Sequence, residues 1–462
     1  MVLAAAWLSG CVMGPNYRRP AVQIPDSFRG TTLPASESAS LADLKWWEVF
    51  KDPSLAELIR TALAQNYDLR VAVARVEAAR ASLGITRAGQ FPNLDATGDI
   101  ATNRLSRNGS MALPPSFLPS QNRTFGTATL NLLSFEVDIW GRLRRATEAA
   151  RANLLGAEEN RKAVVATLVS DVAAAYFSLR ELDSELEIAR RTLATRQDSL
   201  SLIKTRQSGG VATLLDLRQA EELVYSAAET IPVIEQQIAQ TENQIGLMLG
   251  KNPGEVARGR SLTDQELPPG VPAGLPSAML ERRPDIRAAE QNLIAANARI
   301  GVAKSLYYPS ISLTGSFGVM STDLSNLFTG PARIWNWTVP VNVPIFTGGA
   351  IRGQVQSAEA LQQQTLLRYQ QTIQSAFREV EDALIDQQRS REALEIQTRQ
   401  VESLYKYKRI ASLRFDNGYT SYIEVLDAER SLFNAELAQA QTKGALFQAL
   451  VNLYKATGGG WP

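Results

Sequence analysis

Two apolar periods run along this chain in separate segments, one helical and one extended. Over 165–203, apolar side chains recur alternately every three and four residues at Val165, Leu168, Val172, Ala175, Leu179, Leu182, Leu186, Ala189, Leu193, Leu200 and Ile203, and Arg196 alone breaks the seam. That 3.5-residue spacing predicts a helix supercoiled left-handedly against its neighbours. Between Gly141 and the Gly209-Gly210 pair there is no proline and one internal glycine, Gly156. One helix of about 65 residues is expected there, ~100 Å long at 1.5 Å per residue. A second seam, Ile373, Ala376, Val380, Ala383, Gln387, Ser390, Leu394, Gln397, Val401, Leu404, Lys408 and Ala411, keeps the register with more polar members. Gly209 and Gly210, and later Gly418, mark hairpin tips from which helices return over 213 to about 248 and 419 to about 454. Taken alone, such narrow-striped helices suit a fibrous spacer as well as a tunnel wall.

The extended period is confined to two pairs of segments. Leu94, Ala96, Gly98, Ile100 and Thr102 alternate with Asp95, Thr97, Asp99, Ala101 and Asn103, and the partner segment runs from about Phe125 to Trp140. Later, Ile311, Leu313, Gly315, Phe317 and Val319 alternate with Ser312, Thr314, Ser316 and Gly318, and Trp335, Trp337, Val339, Val341, Val343 and Ile345 lie on a returning strand. Pro340 and Pro344 cannot donate to a ladder, which ends that strand near Val339. Strands of about 9 to 11 residues with one apolar face and aromatic ends fit a transmembrane β-barrel, the alternative being a small soluble sheet capping the helices. About eight strands are needed to enclose a barrel and more to hold water, so four per chain require oligomerisation.

These segments are copies of one another. Asp68-Leu69-Arg70 and Asp285-Ile286-Arg287 lie 217 apart, an offset that also relates Gly84 to Gly301 and Phe91-Pro92 to Tyr308-Pro309. Beyond Gly141 the offset is 208, relating Gly141 to Gly349, Arg206 to Arg414, Gly210 to Gly418 and Ala220-Glu221 to Ala428-Glu429. The difference of nine residues falls in one insertion, where 105–124 reads as a long polar loop. The chain therefore divides into 1–10, a signal peptide without its basic start; 11–65, a lipid-anchored segment; 66–250, the first repeat; 251–280, a linker; 281–456, the second repeat; and 457–462, a tail.

Composition removes whole classes of chemistry. The 462 residues include one cysteine and no histidine, which leaves no Ser-His-Asp or Cys-His nucleophile, no zinc or iron-sulfur cluster and no internal disulfide. Forty-eight basic and 47 acidic residues give a net charge of +1, which offers no field for nucleic acid. A carboxylate-based enzyme such as a glycosidase would remain, but no carboxylate pair stands out by motif. Six methionines without clustering give no support for soft-metal ligation. No cofactor is expected beyond a covalent lipid. Leu8-Ser9-Gly10-Cys11 resembles the lipobox of bacterial lipoproteins, in which the cysteine is acylated and becomes the first mature residue. Three acyl chains would hold Cys11 to a membrane without a transmembrane helix, and Val12 in place of aspartate points to the outer membrane.

The remaining motifs carry a resemblance covering nearly the whole mature chain. They are Gly14-Pro15-Asn16-Tyr17, Trp46-Trp47-Glu48-Val49-Phe50-Lys51-Asp52-Pro53, Asn66-Tyr67-Asp68-Leu69, Phe135-Glu136-Val137-Asp138-Ile139-Trp140-Gly141-Arg142, Glu281-Arg282-Arg283-Pro284-Asp285-Ile286, and Arg414-Phe415-Asp416-Asn417-Gly418 leading to Val425-Leu426-Asp427-Ala428. With these the chain is similar to the TolC-like outer-membrane factors, in the lipid-anchored, NodT-type branch that serves tripartite efflux pumps. The resemblance implies a mainly α chain with four β-strands, a homotrimer with a 12-stranded barrel continued by an α-barrel tunnel, and no enzymatic activity. It also implies three further partners: a periplasmic adaptor, an inner-membrane pump of the RND type, and outer-membrane lipid. Arg414, Phe415 and Asp427 align with positions that close the periplasmic tip in this family, where Phe415 replaces a frequent tyrosine and its hydroxyl bond. A type I protein-secretion duct shares the architecture and is the alternative, against which the lipobox and Trp46-Trp47 argue.

Overall fold

The computed structural model of the chain describes residues 12–25, 28, 51–104, 122–265 and 276–459. In chain order the elements are α1 (Pro53–Gln65), α2 (Tyr67–Ala88), β1 (Leu94–Arg104), β2 (Asn122–Glu136), α3 (Arg142–Ser208), α4 (Leu214–Met248), α5 (Pro276–Arg282), α6 (Pro284–Ser305), β3 (Ser310–Ser321), β4 (Arg333–Thr338), β5 (Val341–Asn342), α7 (Ala350–Asp416) and α8 (Tyr422–Ala456). The copies have equal lengths: 67 residues in α3 and α7, 35 in α4 and α8, and 22 in α2 and α6. Their backbones agree as well, with positive φ at Gly141 and Gly349, Gly210 and Gly418, and Gly250 and Gly458, three pairs 208 apart. Two compact units are formed.

One unit is built from the described residues of 1–20, 76–156 and 289–369 and contains the sheet. Its order is β1-β2-β3-β4, antiparallel throughout, with β5 on β3. The register aligns Leu94 with Leu132, Leu130 with Phe317, and Phe317 with Trp335. One face therefore carries Leu94, Ile100, Leu130, Phe317, Trp335 and Trp337, all exposed. The other face is polar and hydrogen-bonded across strands: Thr97 to Thr129 at 3.0 Å, Asn131 to Thr97 at 3.0 Å, and Ser316 to Asn336 at 3.0 Å. This is the expected alternation with the expected phase. The expected tail of β2 is different: the strand spans Asn122–Glu136, with a bulge between Leu132 and Phe135, and does not continue to Trp140. There Asp138 turns back to accept from the backbone N–H groups of Leu143 and Arg144, which start α3. β4 stops at Thr338, before Pro340, and pairing resumes only briefly at Val341–Asn342.

Below the sheet, α3 and α6 approach through small side chains, Ala149 and Ala152 against Ala295 and Ala298. The N-terminal strap crosses these helices. Met13 N–H donates to Trp140 at 3.0 Å, the buried Arg145 guanidinium donates to the carbonyls of Met13 and Gly14 and to Asn16, and Asn297 donates to Pro15 at 2.8 Å. Gly14, at φ +87, lies so close to Gly301 that a Cβ would stand 2.5 Å from its Cα. Trp140 stacks on Tyr308 at 4.6 Å. The proposed acylation site, Cys11, lies outside the described residues, immediately before this strap.

The other unit is built from the described residues of 21–75, 157–288 and 370–459 and is helical. Every α3 seam position from Val165 to Ile203 is buried or half-buried. In α7 the buried stretch ends at Ala383, and the more polar positions from Gln387 to Lys408 are half-buried. A stretch of α3 is apolar and long enough to cross a bilayer, with mean hydropathy 1.4, but 56% of it is buried within the chain and reads as core. Asp52, only 1% exposed, ties three segments together. It caps α1 through Ser54 N–H at 2.8 Å and accepts from Tyr176 at 2.8 Å, Gln265 at 2.6 Å and the Arg260 N–H at 3.2 Å.

Candidate functional site

The hairpin tips are set by backbone chemistry. At the end of α3 the Val211 N–H returns to Arg206 O at 2.8 Å and Gly210 N–H to Gln207 O at 3.0 Å. At the end of α7 the Tyr419 N–H returns to Arg414 O at 2.8 Å and Gly418 N–H to Phe415 O at 3.0 Å. Both are Schellman closures, and their left-handed residues, Gly210 at φ +76 and Gly418 at φ +73, take a conformation that costs other residues about 1 kcal/mol or more. Gly209 does not have positive φ; it occupies the preceding cap position, where other residues are accommodated. The returning helices start differently. Thr213 and Asp216 form a reciprocal capping box on α4, whereas Ser421 makes no side-chain cap on α8.

Arg414, Phe415 and Asp427 are not brought together within one chain. Arg414 is half-exposed and, among the described residues, pairs with Glu424 at 3.8 Å. Asp427 pairs with Arg430 one turn along its own helix at 3.1 Å. Phe415 lies 5.1 Å from the buried Tyr422 ring and beneath the guanidinium of Arg206, whose Cζ is 4.6 Å from the Phe415 centroid. Arg206 also pairs with Asp416 at 3.1 Å. One side chain at the end of α3 therefore grips two consecutive residues at the end of α7. Sequence reasoning paired Arg206 with Arg414 as repeat counterparts and missed this role. The available signal was that Phe415-Asp416 has no equivalent in the corresponding Gln207-Ser208.

Beneath the tips, Ile203, Ala220, Leu223, Ala411, Tyr422, Val425, Leu426 and Ala428 form one apolar cluster. Burial and nearby carboxylates push the Tyr422 phenol well above its ordinary range. Further along, Arg196 occupies the seam position that breaks the heptad, and it is only 2% exposed. It donates to the Leu223 carbonyl at 2.7 Å and lies over the Phe433 ring at 4.9 Å. Burial lowers its pKa, opposed by Glu429 and Glu222. Glu429, also buried, pairs with Lys408 at 3.2 Å. The polar break is accommodated because a guanidinium can hydrogen-bond a carbonyl and stack on a ring at once.

Comparison with known proteins places these features. A family model described as "Outer membrane efflux protein" matches residues 58–251 and 275–459, one segment in each repeat. The probable efflux pump outer membrane protein TtgC of Pseudomonas putida is 36% identical over 465 residues, covering 100% of this chain and 95% of that protein. The cation efflux system protein CusC of Escherichia coli is also 36% identical, over 98% of this chain and 96% of its own length. The open state of the Neisseria gonorrhoeae MtrE outer membrane channel superposes with a TM-score of 0.87 at 31% identity, covering 98% of this chain and 99% of that one.

Proposed function

The chain belongs to the outer membrane efflux protein family, and from that premise we propose a passive exit duct formed by three copies and held to the outer membrane by acylated Cys11. It performs no chemistry on its cargo. An inner-membrane pump of the RND type supplies the energy through a periplasmic adaptor, and the duct supplies a water-filled path for small solutes. Relatives of equal identity carry names from a cation efflux system and from an efflux pump of unstated cargo. That equality favours a duct that passes what its pump delivers.

The observation that carries this reading is the unsatisfied second half of an internal symmetry. Within one chain, β2 of the first repeat pairs with β3 of the second, and α3 packs on α6 through Ala149, Ala152, Ala295 and Ala298. Applying the repeat offsets, β4 and α7 require a β1 and an α2 that only another copy can provide. The corresponding small residues, Ser357 and Ala360 on α7 and Ala78 and Ala81 on α2, are exposed, as are the apolar residues of the outer sheet face. Such a head-to-tail contact between different surfaces closes into a ring when the rotation between copies divides a full turn. Two copies would give about eight strands, a filled barrel, whereas three give about twelve with room for water. The exposed belt of Phe317, Trp335 and Trp337 then faces lipid.

At the periplasmic tip, the Arg206 grip on Phe415 and Asp416 holds the two hairpins of one chain together, and Arg414 and Asp427 make only exposed in-chain ion pairs. Conductance of the purified protein in planar bilayers tests the duct. Discrete, long-lived single-channel steps are expected, and their absence from trimeric protein would count against it.

A further inference from the structure

The seam between α3 and α8 contains a polar interruption that the exit-duct reading does not use. Phe177, Glu181 and Glu185 fall one turn apart on α3 and meet Phe447, Gly444 and Gln441 of α8 running the other way. Phe177 stacks on Phe447 at 4.7 Å with the rings 15° from parallel. One turn further, the Glu181 carboxylate lies directly over the bare backbone of Gly444, in the space a Cβ would take. Glu185, 7% exposed, is hydrogen-bonded by Gln441. Glycine is the weakest helix former after proline, so its place inside the 35-residue α8 matches a notch cut for this carboxylate. The repeat counterparts, Arg389, Ala393 and Gln236, cannot form the same arrangement.

Among the described residues no cation pairs with either carboxylate, and several cations on the neighbouring elements are engaged elsewhere. On α3, Arg180 is held by Asp183 and the Arg260 carbonyl, and Arg190 and Arg191 by Glu235 and Glu436. On α8, Lys443 donates to the Thr263 carbonyl at 3.1 Å. On α7, which runs beside α8 through the Gln439 to Thr398 bond, Arg389 is taken by Glu392. Arg258, from the segment after α4, is held by Asp183 and Glu242. Burial and the charge of Glu185 push Glu181 up to about 7, and burial raises Glu185.

We propose that the Glu181–Glu185 pair and the Gly444 notch form a proton-sensitive joint between the two hairpins of one chain, closed while the pair retains a proton and loosened when both carboxylates ionise. It rests on the exit-duct reading only for its consequence, a tip that opens more readily as pH rises. With the Glu181 pKa raised in the closed joint, closure is favoured at low pH and lost as pH rises through about 7. Linkage gives a roughly tenfold fall in the closed-to-open ratio between about pH 6 and pH 8.

The test is amide hydrogen exchange on the intact protein in lipid nanodiscs, read over residues 440–447 and corrected for the intrinsic pH dependence. Protection is expected to fall about tenfold between pH 6 and 8 in the natural sequence. In the near-isosteric Glu181→Gln it should stay high and flat, and in Gly444→Ala, where the added methyl evicts the carboxylate, it should be low at both pH values. A flat natural protein, or the same slope in Glu181→Gln, overturns the proposal. Bilayer conductance on the same samples separates the two readings: the exchange slope without conductance keeps the joint and overturns the duct, and conductance without the slope does the reverse.

Discussion

Replacing Arg206 with alanine removes two contacts between α3 and α7 at the tip: the guanidinium over Phe415 at 4.6 Å and the ion pair with Asp416 at 3.1 Å. The Arg206 side chain is 26% exposed and Asp416 52%, so the ion pair contributes at the exposed end of the scale, about 0.2 to 1 kcal/mol. The cation–π contact adds about 0.5 to 1 kcal/mol. The loss is about 1 to 2 kcal/mol per chain, and about 3 to 6 kcal/mol if three chains open together, a shift of about 10² to 10⁴ in the open-to-closed ratio. Arg414→Ala and Asp427→Ala remove, within a chain, only a 3.8 Å contact and an exposed i,i+3 pair. The assay is single-channel conductance together with entry of a bulky glycopeptide antibiotic into cells. Arg206→Ala should raise both, by more than either other substitution. Leakage from Arg414→Ala or Asp427→Ala with none from Arg206→Ala would overturn this role of Arg206 and locate the closing contacts between copies.

Two further substitutions test how the linker and the strap are held. Asp52→Ala removes the cap of α1, about 1 kcal/mol, and strips a buried acceptor from Tyr176, Gln265 and the Arg260 N–H, for a total of about 3 to 5 kcal/mol. Faster proteolysis within 251–265 is expected, and an unchanged rate would contradict it. Burial pulls the Asp52 pKa upward, but hydrogen bonds from Tyr176, Gln265, Ser54 and Leu55 hold it below the ordinary carboxylate value. Its contribution is therefore present above that ordinary value and lost as pH falls through the lowered one, so acid should loosen the linker of the natural chain and leave Asp52→Ala unaffected. Gly14→Ala combines a left-handed φ, about 1 to 2 kcal/mol for a residue with a Cβ, with a collision against Gly301. Proteolysis within 12–20 should accelerate, whereas full protection would show that the backbone crossing tolerates a methyl group.

The elements most legible in the sequence were those governed by a simple period. The α3 heptad could be traced because one narrow seam is buried over its whole length, and the sheet faces because Leu94, Leu130, Phe317 and Trp335 keep strict alternation against a polar face. The end of β2 was not legible, since Phe135, Val137 and Ile139 still alternate while Asp138 has already turned to cap α3. Arg196 read as a flaw in the heptad because its acceptor, the Leu223 carbonyl, lies on the returning helix and carries no side-chain signal. Asp52 stood inside a recognised motif, yet its partners Tyr176 and Gln265 lie 124 and 213 residues away. At the tip, repeat logic found Arg206 and Arg414 as a pair, but the structure shows that only Arg206 has a ring and a carboxylate to hold.

In the proposed duct the symmetry left open in one chain closes between copies, and cysteine crosslinking in the outer membrane probes that closure. Ala78→Cys and Ala360→Cys in one chain occupy the positions that correspond by repeat to Ala295 and Ala152, members of the same packed cluster. Oxidation should give a covalent species of three chains, because each copy offers one cysteine to each neighbour, and either substitution alone should give none. Chains that stay monomeric on oxidation, or an open-ended ladder beyond three, would contradict it.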